Sequence, residues 1–401
     1  MFSQGDKNIM SKLSEKKTAK KARQNTAAGY LGLLCTGFLA GILGGPGAFA
    51  CIERAARPAQ YLIVLALMLF IAVLAFQMQV IVHEGGHLLF GLLCGYRFLS
   101  FRIGSLMLIK TGEGFRIRRF TLKGTGGQCL MIPPERKRYR NGAVCYNLGG
   151  IVLNGMLSVL FLILYLLYPD MPFLSFFLFT MAFTGLFIAW TNGVPKLRMG
   201  LPNDGSNAVS VKRDEAADRA LNLQLTVSAE LAEGFRIRDL PKEWFLLPED
   251  ADLSDPLICG TLYLECCRYG DLHEFQEASG RIRQYLREAP GLTEIHKYEM
   301  RCDLLYYELL GECRKEEIEA LCTEGLNKYR KMTSSYLSRI RLAYAYALLA
   351  EEDEQTALGL KERFDKQALK YPYSGEAQSE REYMDAALEA YRCRSGAGRT
   401  V

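Results

Sequence analysis

Four long segments without a charged side chain limit the folds open to this chain more than any other feature. They are Gln24–Ile52, Pro58–Val82, Asn141–Pro169 and Met171–Pro195. Each is longer than the roughly 20 residues that a helix needs to cross the hydrocarbon core of a bilayer. One such segment is compatible with a buried core helix, but four together predict a membrane protein with about four spans.

The charge balance divides the chain into two parts of different character. The whole chain has a net charge of +5, but residues 1–205 carry +14 and residues 206–401 carry −9. The first part is apolar and basic, whereas the second is rich in charge and has the composition of a soluble domain. The composition as a whole excludes a disordered chain, a collagen-like chain and a small disulfide scaffold.

The distribution of Lys and Arg predicts the orientation of the spans. Seven basic residues precede the first span, and eleven lie in the Arg97–Arg140 loop against only Glu113 and Glu135. Since basic loops stay in the cytoplasm, we expect the N-terminus, this loop and everything after Lys196 on that side of a bacterial cytoplasmic membrane. A basic arm can also bind nucleic acid, but its position before a span favours contact with lipid, so we expect no nucleic-acid partner.

The second span ends in His83-Glu84-Gly85-Gly86-His87, an HExxH pattern. On a helix, a separation of four residues places both imidazoles on one face, where they can bind one zinc ion. Glu84 can then take a proton from a water molecule and pass it to a leaving amine. The alternative is a histidine pair that packs against lipid headgroups.

Two histidines leave a tetrahedral zinc ion one protein ligand short. Asp204 is the only acidic residue between Asp170 and Asp214, and it follows the fourth span on the side of His83 and His87. Taken alone, its Asn-Asp-Gly setting is typical of a turn. The remaining two histidines lie in the soluble part and are poorer candidates.

Three motifs together match the pattern of one enzyme family. They are His83-Glu84-Gly85-Gly86-His87, Gly149-Gly150-Ile151-Val152-Leu153-Asn154 with Ile151 in a proline position, and Asn192 and Pro195 followed by Asp204-Gly205. With these motifs the chain resembles the site-2 protease family of intramembrane zinc metalloproteases, over about residues 58–208.

The resemblance implies hydrolysis of peptide bonds within or near the membrane. His83, His87 and Asp204 would hold zinc, and Glu84 would be the general base. Asn154 would face the active site and position the substrate or the developing oxyanion. The alternative for Asn154 is an amide that only packs helices together.

Between Arg97 and Pro134, three short alternating apolar stretches separated by glycines predict small β-hairpins beside the membrane. They are Phe98–Ile103, Leu106–Lys110 and Phe115–Leu122. In the family that the chain resembles, such a sheet can hold an unwound substrate segment by strand addition. Gly126, Gly127 and Asn192 are the candidate substrate-binding residues. The alternative is a basic loop that lies on the headgroups.

After Asp214 the pattern is helical without a span. Turn-like breaks recur at Gly270-Asp271, Gly311-Glu312 and Ala350-Glu351, each between amphipathic stretches. This pattern resembles a short array of tetratricopeptide-like helical hairpins, which commonly bind a peptide or protein partner. The alternative is a helical bundle that packs only on itself.

We therefore expect a mainly α protein. A polytopic membrane helix bundle with a small membrane-associated β-hairpin region precedes a soluble, all-α tetratricopeptide-like domain. The expected domains are a basic cytoplasmic arm (1–27), a membrane-embedded zinc metalloprotease domain (28–208), a linker (209–250) and a cytosolic helical-hairpin domain (251–396).

The expected function is that of an intramembrane zinc endopeptidase, with the helical domain recruiting or gating the substrate. Its substrates would be membrane-anchored proteins or peptides, cleaved near the cytoplasmic face. One alternative is a catalytically silent membrane scaffold, which would not need Glu84 beside zinc. Another is a metal transporter, but the chain shows no sign of an inverted repeat.

Overall fold

The computed structural model describes residues 45–55, 57–122, 124–135, 141–198 and 201–397. The described chain is mostly helical and contains one four-stranded antiparallel sheet and one short two-stranded ribbon. It divides into two compact units. The first comprises Met1–Gln79 and Met156–Phe187, and the second comprises Val80–Gly155 and Ile188–Val401.

Among the described residues, three helices are long and apolar enough to cross a membrane. They are α1 (Pro58–Leu93), α2 (Gly142–Leu167) and α3 (Pro172–Gly193), and their most apolar windows have mean hydropathies of 2.6, 2.3 and 1.9. They coincide with three of the predicted spans, although α1 continues well past the predicted end at Val82. The predicted span Gln24–Ile52 lies mostly outside the described residues, so the count of four spans stays a prediction.

Small and polar residues bring the helices of the first unit together. A Cβ atom added at Gly185 would lie 2.2 Å from Oγ of Ser158, so α2 and α3 touch at this glycine. The side-chain amide of Gln79 donates a hydrogen bond of 2.8 Å to the carbonyl of Met181. Close packing at small residues and buried amide hydrogen bonds are typical of helix association in lipid.

The sheet of the second unit is formed by β1 (Arg97–Ile103), β2 (Leu106–Thr111), β3 (Gly114–Arg119) and β4 (Gly127–Ile132). Its order is β3-β2-β1-β4, and every neighbouring pair is antiparallel. The first three strands coincide with the predicted hairpin strands. The fourth strand was not predicted, and it is an edge strand of this sheet.

The two faces of the sheet differ. Leu99, Met107 and Ile109 are buried and pack with alanines of α5 (Glu215–Ala232). The opposite face exposes large apolar side chains of β2 and β3. These are Leu106, Leu108, Phe115 and Ile117. Because strand residues alternate between faces, one face joins the core while the other is left apolar and uncovered by the described chain.

Between α3 and α5 the chain turns back on itself. A two-stranded ribbon pairs β5 (Leu197–Arg198) with β6 (Leu201–Pro202), and α4 (Asp204–Arg213) follows directly. Both α4 and α5 have buried faces, and α5 lies within the segment predicted as a linker. The predicted domain boundaries stay predictions.

Eight helices form the C-terminal part of the second unit around one apolar core. They are α6 (Pro256–Asp271), α7 (Phe275–Glu288), α8 (Glu294–Leu310), α9 (Lys315–Leu321), α10 (Glu324–Met332), α11 (Leu337–Leu349), α12 (Glu354–Ala368) and α13 (Ser374–Ala397).

Helix ends in this part fall at the three predicted breaks. After α6, α8 and α11 the chain passes through His273, Cys313 and Glu352, which have φ values of 61°, 52° and 53°. Positive φ is uncommon for residues other than glycine. The three residues lie about 40 positions apart along the chain. The array of tetratricopeptide-like helical hairpins stays a prediction.

Candidate metal centre and active site

Helix α1 places His83 and His87 one turn apart on the same face. Their Nε2 atoms lie 3.2 Å from each other. Oδ2 of Asp204 lies 3.0 Å from Nε2 of His83 and 3.5 Å from Nε2 of His87. In the part of the chain that the structure describes, this is the one group of three or more such side chains close enough to hold a metal ion.

The start of α4 brings Asp204 back to the histidines across 121 residues of chain. The preceding residue, Asn203, caps the helix by accepting a hydrogen bond from the backbone N–H of Ser206. Its amide nitrogen donates to the carbonyls of Thr191 and Val194, at 3.0 and 2.7 Å. Asn203 therefore fixes the carboxylate-bearing turn to the end of α3.

Hydrogen bonds on the far side of each imidazole set its tautomer. Nδ1 of His87 lies 2.8 Å from the carbonyl oxygen of Tyr146, which can only accept, so Nδ1 carries the proton. Nδ1 of His83 lies 2.8 Å from Oδ1 of Asn154 and donates in the same way. Both Nε2 lone pairs are therefore left for a metal ion, as is usual for histidine ligands.

The electrostatics of the cluster favour an ionised Asp204. Burial by itself raises the pKa of this carboxyl group, but its interactions with the imidazoles of His87 and His83 lower it by more. The net effect holds the pKa below the ordinary value of aspartate. Asp204 therefore offers a charged oxygen to the site at neutral pH.

The donor set and its spacing fit zinc. Two imidazole nitrogens and one carboxylate oxygen form a common protein ligand set of catalytic zinc sites, which keep a fourth position open. Zinc bonds of about 2.0–2.1 Å in a tetrahedron place the donor atoms about 3.3 Å apart. The three separations of 3.0, 3.2 and 3.5 Å are close to that distance.

Glycines explain how the two motif-bearing helices come so close. A Cβ atom at Gly86 would lie 2.3 Å from the carbonyl oxygen of Gly149, and one at Gly150 would lie 2.7 Å from Nδ1 of His83. Any side chain at these positions would push α1 and α2 apart. The Asn154 amide, which is fully buried on α2, reaches His83 because of this contact.

The catalytic candidate Glu84 lies against the start of β4. A Cβ atom at Gly127 would lie 2.7 Å from both Cγ and Oε1 of Glu84, while Gly126 lies beside Val80. Because a side chain at Gly127 would occupy the place of the carboxylate, this glycine lets the strand approach the site. The structure thus brings Gly126, Gly127 and Glu84 together.

Asn192 is placed differently from the other predicted residues. Its amide donates a hydrogen bond of 3.0 Å to the carbonyl of Ile188, one turn earlier in α3. The carbonyl of Asn192 lies 3.0 Å from the position that a Cβ atom of Gly205 would take. Asn192 therefore lies at the contact between α3 and α4, beside the turn that carries Asp204.

The geometry of the site can be compared with known protein families. The model of peptidase family M50 matches residues 71–353. The chain belongs to peptidase family M50. This family is the site-2 protease family, whose members are intramembrane zinc metalloproteases, and the resemblance seen in the motifs is thereby confirmed. No curated protein and no solved structure is significantly similar to the chain.

The family match extends beyond the motifs of this M50 peptidase. It begins within α1, includes all three predicted metal ligands, and ends at residue 353, just before α12. The part of the chain that resembles the family from its motifs ends near residue 208. The similarity therefore continues into the helical region.

Sequence reasoning missed three residues that position the site of this M50 peptidase. Tyr146 accepts from His87 through its carbonyl and donates its hydroxyl to the carbonyl of Cys129 in β4. Asn203 holds the Asp204 turn. The third is Arg102, which is 1% exposed. Asn203 belongs to the Asn-Asp-Gly sequence that signals a turn, whereas Tyr146 and Arg102 stand in no recognisable motif. The only available signal for Arg102 was a charged residue in an alternating strand.

Arg102 connects the sheet to the surroundings of Glu84. Its guanidinium donates to the carbonyl of Gly104 at 2.8 Å and to Oγ1 of Thr125 at 2.5 Å. Burial lowers the pKa of Arg102, while the charge of Glu84 raises it. Arg102 therefore holds the strand connection in place and contributes a positive charge near the carboxylate.

Proposed function

We propose that this M50 peptidase is an intramembrane zinc endopeptidase that cleaves membrane-anchored protein or peptide substrates near the cytoplasmic face. One observation carries the proposal: potential metal-ligating atoms of His83, His87 and Asp204 lie 3.0 to 3.5 Å from one another, and the buried Glu84 follows His83 directly on α1. A scaffold without activity would need neither this convergence nor the glutamate.

In the proposed site, His83, His87 and Asp204 hold the metal and Glu84 is the general base. Bound zinc supplies Lewis-acid polarisation of the scissile carbonyl and of water. Glu84 takes a proton from the attacking water and delivers it to the leaving amine. Asn154 orients His83 through the hydrogen bond of 2.8 Å between Oδ1 and Nδ1, which keeps Nε2 directed at the site.

Substrate would bind as an extended strand along β4. A helix hides its peptide bonds, so a membrane-anchored segment must unwind before attack. The start of β4 lies against Glu84, and β4 pairs with only one neighbour in the described sheet. Its outer edge offers backbone groups to a substrate strand. Gly126 and Gly127 keep this end of the edge free of side chains.

The bilayer is the second proposed partner, and the sheet would rest against it. Its exposed face carries Leu106, Leu108, Phe115 and Ile117, with basic residues of β3 beside them. An apolar surface with flanking Lys and Arg suits the interface of a membrane with anionic headgroups. We place the sheet, the N-terminus and the helical domain on the cytoplasmic side of a bacterial membrane. There the helical domain would recruit or gate substrate.

The test is a comparison of membrane proteomes with wild-type protein and with the Glu84→Ala variant. We expect the variant to lose about 10³-fold in cleavage rate, so that uncleaved substrates accumulate, while zinc content is unchanged. Glu53→Ala is the matched control, since Glu53 is an exposed glutamate just before α1. Cleavage that persists in purified Glu84→Ala protein would show that the proposed mechanism is wrong.

A further inference from the structure

A cleft between α10, α11 and α12 carries an unusual concentration of positive charge. Its volume is about 430 Å³. Four basic side chains line it, from all three helices: Arg330, Lys331, Arg339 and Arg363. None of the described lining residues is acidic. Residues 206–401 together carry a net charge of −9, so the cleft opposes the charge of its own surroundings.

Three of the four cations have no acidic partner. In the part of the chain that the structure describes, no carboxylate lies within ion-pair distance of Arg330, Lys331 or Arg363. Arg330 lies over the ring of Tyr346 at 5.6 Å, and Arg363 donates to the carbonyl of Ser334 at 3.0 Å. Like charges gathered in one concave surface repel one another, and an anion placed among them relieves that repulsion.

The fourth cation, Arg339, is buried and only partly satisfied. Its side chain is 3% exposed and pairs through Nη2 with Glu299. Glu299 is shared, because it also accepts the hydroxyl of Tyr329 at 2.5 Å. Nε and Nη1 of Arg339 have no hydrogen-bond partner. Arg339 therefore adds a buried positive charge to the wall of the cleft.

The remaining wall of the cleft is apolar. Ile340 and Ala343 of α11 and Leu360 of α12 lie among the cations. A volume of about 430 Å³ falls within the range that holds drug-sized ligands, so it exceeds what a single small anion fills. The combination of cations and apolar wall suits a ligand that carries carboxylates next to aliphatic side chains.

We propose that this basic cleft binds an acidic, partly aliphatic peptide segment of another protein. Carboxylates of the peptide would pair with Arg330, Lys331 and Arg363, and its aliphatic side chains would pack on Ile340 and Leu360. Peptide binding in the cleft does not depend on proteolytic activity. Its use in delivering substrates to Glu84 rests on the proposed function.

The probe is a fluorescein-labelled ten-residue peptide of alternating glutamate and leucine, with full-length protein in detergent micelles and fluorescence anisotropy as the readout. Controls are the peptide with glutamine in place of glutamate, and inorganic phosphate as competitor. We expect the glutamate peptide to bind, the glutamine peptide to bind at least about tenfold more weakly, and added salt to weaken the binding.

Two double variants provide the matched comparison. Lys331→Glu with Arg363→Glu reverses two exposed charges of the cleft, whereas Lys328→Glu with Lys370→Glu reverses two exposed charges outside its lining. We expect about a tenfold loss of affinity in the first variant only. Both variants should keep the unfolding temperature of the wild type, because none of the four side chains is buried.

Three results would overturn the proposal: no binding of the glutamate peptide, equal affinity of both double variants, or displacement of the peptide by equimolar phosphate. The last would assign the cleft to phosphate. Peptide binding without any cleaved membrane protein would support the cleft and count against the protease. Cleavage of membrane proteins without peptide binding would support the protease and count against the cleft as a peptide-binding site.

Discussion

Two polar clusters of the second unit bury charged groups in opposite ways. At the metal centre, two imidazole nitrogens and a carboxylate oxygen meet within 3.0 to 3.5 Å, and all three atoms are acceptors. In the helical region, the buried guanidinium of Arg341 lies between Asp303 at 3.1 Å and Glu380 at 2.8 Å. There each charge has a partner of opposite sign.

The difference separates a binding site from a structural network. The rings of Tyr306 and Tyr383 also lie against the guanidinium of Arg341, at 4.4 and 4.6 Å from its carbon atom. Such a cluster holds helices α8, α11 and α13 together without a ligand. Acceptors that converge repel one another unless a cation joins them. This arrangement supports the proposed metal centre, in which a cation would join the three ligand atoms.

The largest effect on the paired cluster is expected for Arg341→Met. This change leaves two buried carboxylates without their cation, and breaking a buried pair from one side typically costs about 3–5 kcal/mol. We expect the free energy of unfolding of full-length protein to fall by about 3 kcal/mol, measured by thermal unfolding in detergent. Zinc content of the folded protein should be unchanged.

The triple variant Arg341→Met with Asp303→Leu and Glu380→Leu is the control for that prediction. Because it removes both signs of charge, we expect it to recover most of the lost stability. A wild-type stability in Arg341→Met would show that the network is not structural, and the contrast with the metal centre would disappear.

At the metal centre the opposite response is expected. Asp204→Asn removes the only charged atom among the three proposed metal ligands, so we expect the zinc affinity to fall by about 100-fold. The affinity would be measured by competition with a chelator.

The matched control is Asp214→Asn. Asp214 caps α5 by accepting from the backbone N–H of Ala216, and asparagine caps helices as well as aspartate does. It should leave both zinc affinity and stability unchanged. Unchanged zinc affinity in Asp204→Asn would point to a different third ligand.

The smallest effect concerns a carboxyl group of the helical region that has a raised pKa. Burial, together with the charge of Glu380, raises the pKa of Glu376 to about 7 from the ordinary value of 4.5. The folded state therefore holds a proton that the unfolded state releases. As pH rises from about 4.5 through 7, this group lowers the stability of the fold.

The variant Glu376→Gln keeps the shape of the side chain and removes its titration. Between about pH 5 and 8 we expect the wild type to lose about 2.5 kcal/mol more stability than this variant. Glu389→Gln, which changes an exposed glutamate of the same helix, is the control. Parallel pH profiles for wild type and Glu376→Gln would contradict the assignment.

Local patterns predicted the elements well. The apolar segments predicted α1, α2 and α3, and glycines at the turns predicted β1 to β3, because both signals depend on residues a few positions apart. Strand β4 was missed, since the Gly127–Ile132 stretch has no clear alternation. The exact end of α1 was also missed, although Gly95, which has a φ of 87°, is a typical glycine stop signal just after the helix.

For the site, the distance along the chain decided what was predictable. His83, Glu84 and His87 follow from one helical turn. Asp204 was selected as the only nearby acidic residue and through the family resemblance, although 121 residues separate it from His83. Arg102 and Asn203 were not foreseen, because their partners are set by packing and not by spacing.

The amino-acid sequence by itself determined the membrane helices and the pair of imidazoles on α1, because bilayer thickness and the period of 3.6 residues act locally. Only the tertiary structure decided that Asp204 faces those imidazoles, that Gly127 lies against Glu84, and that the cations of three helices share one cleft. These contacts join distant parts of the chain, and close packing of the backbone, not any local preference, selects them.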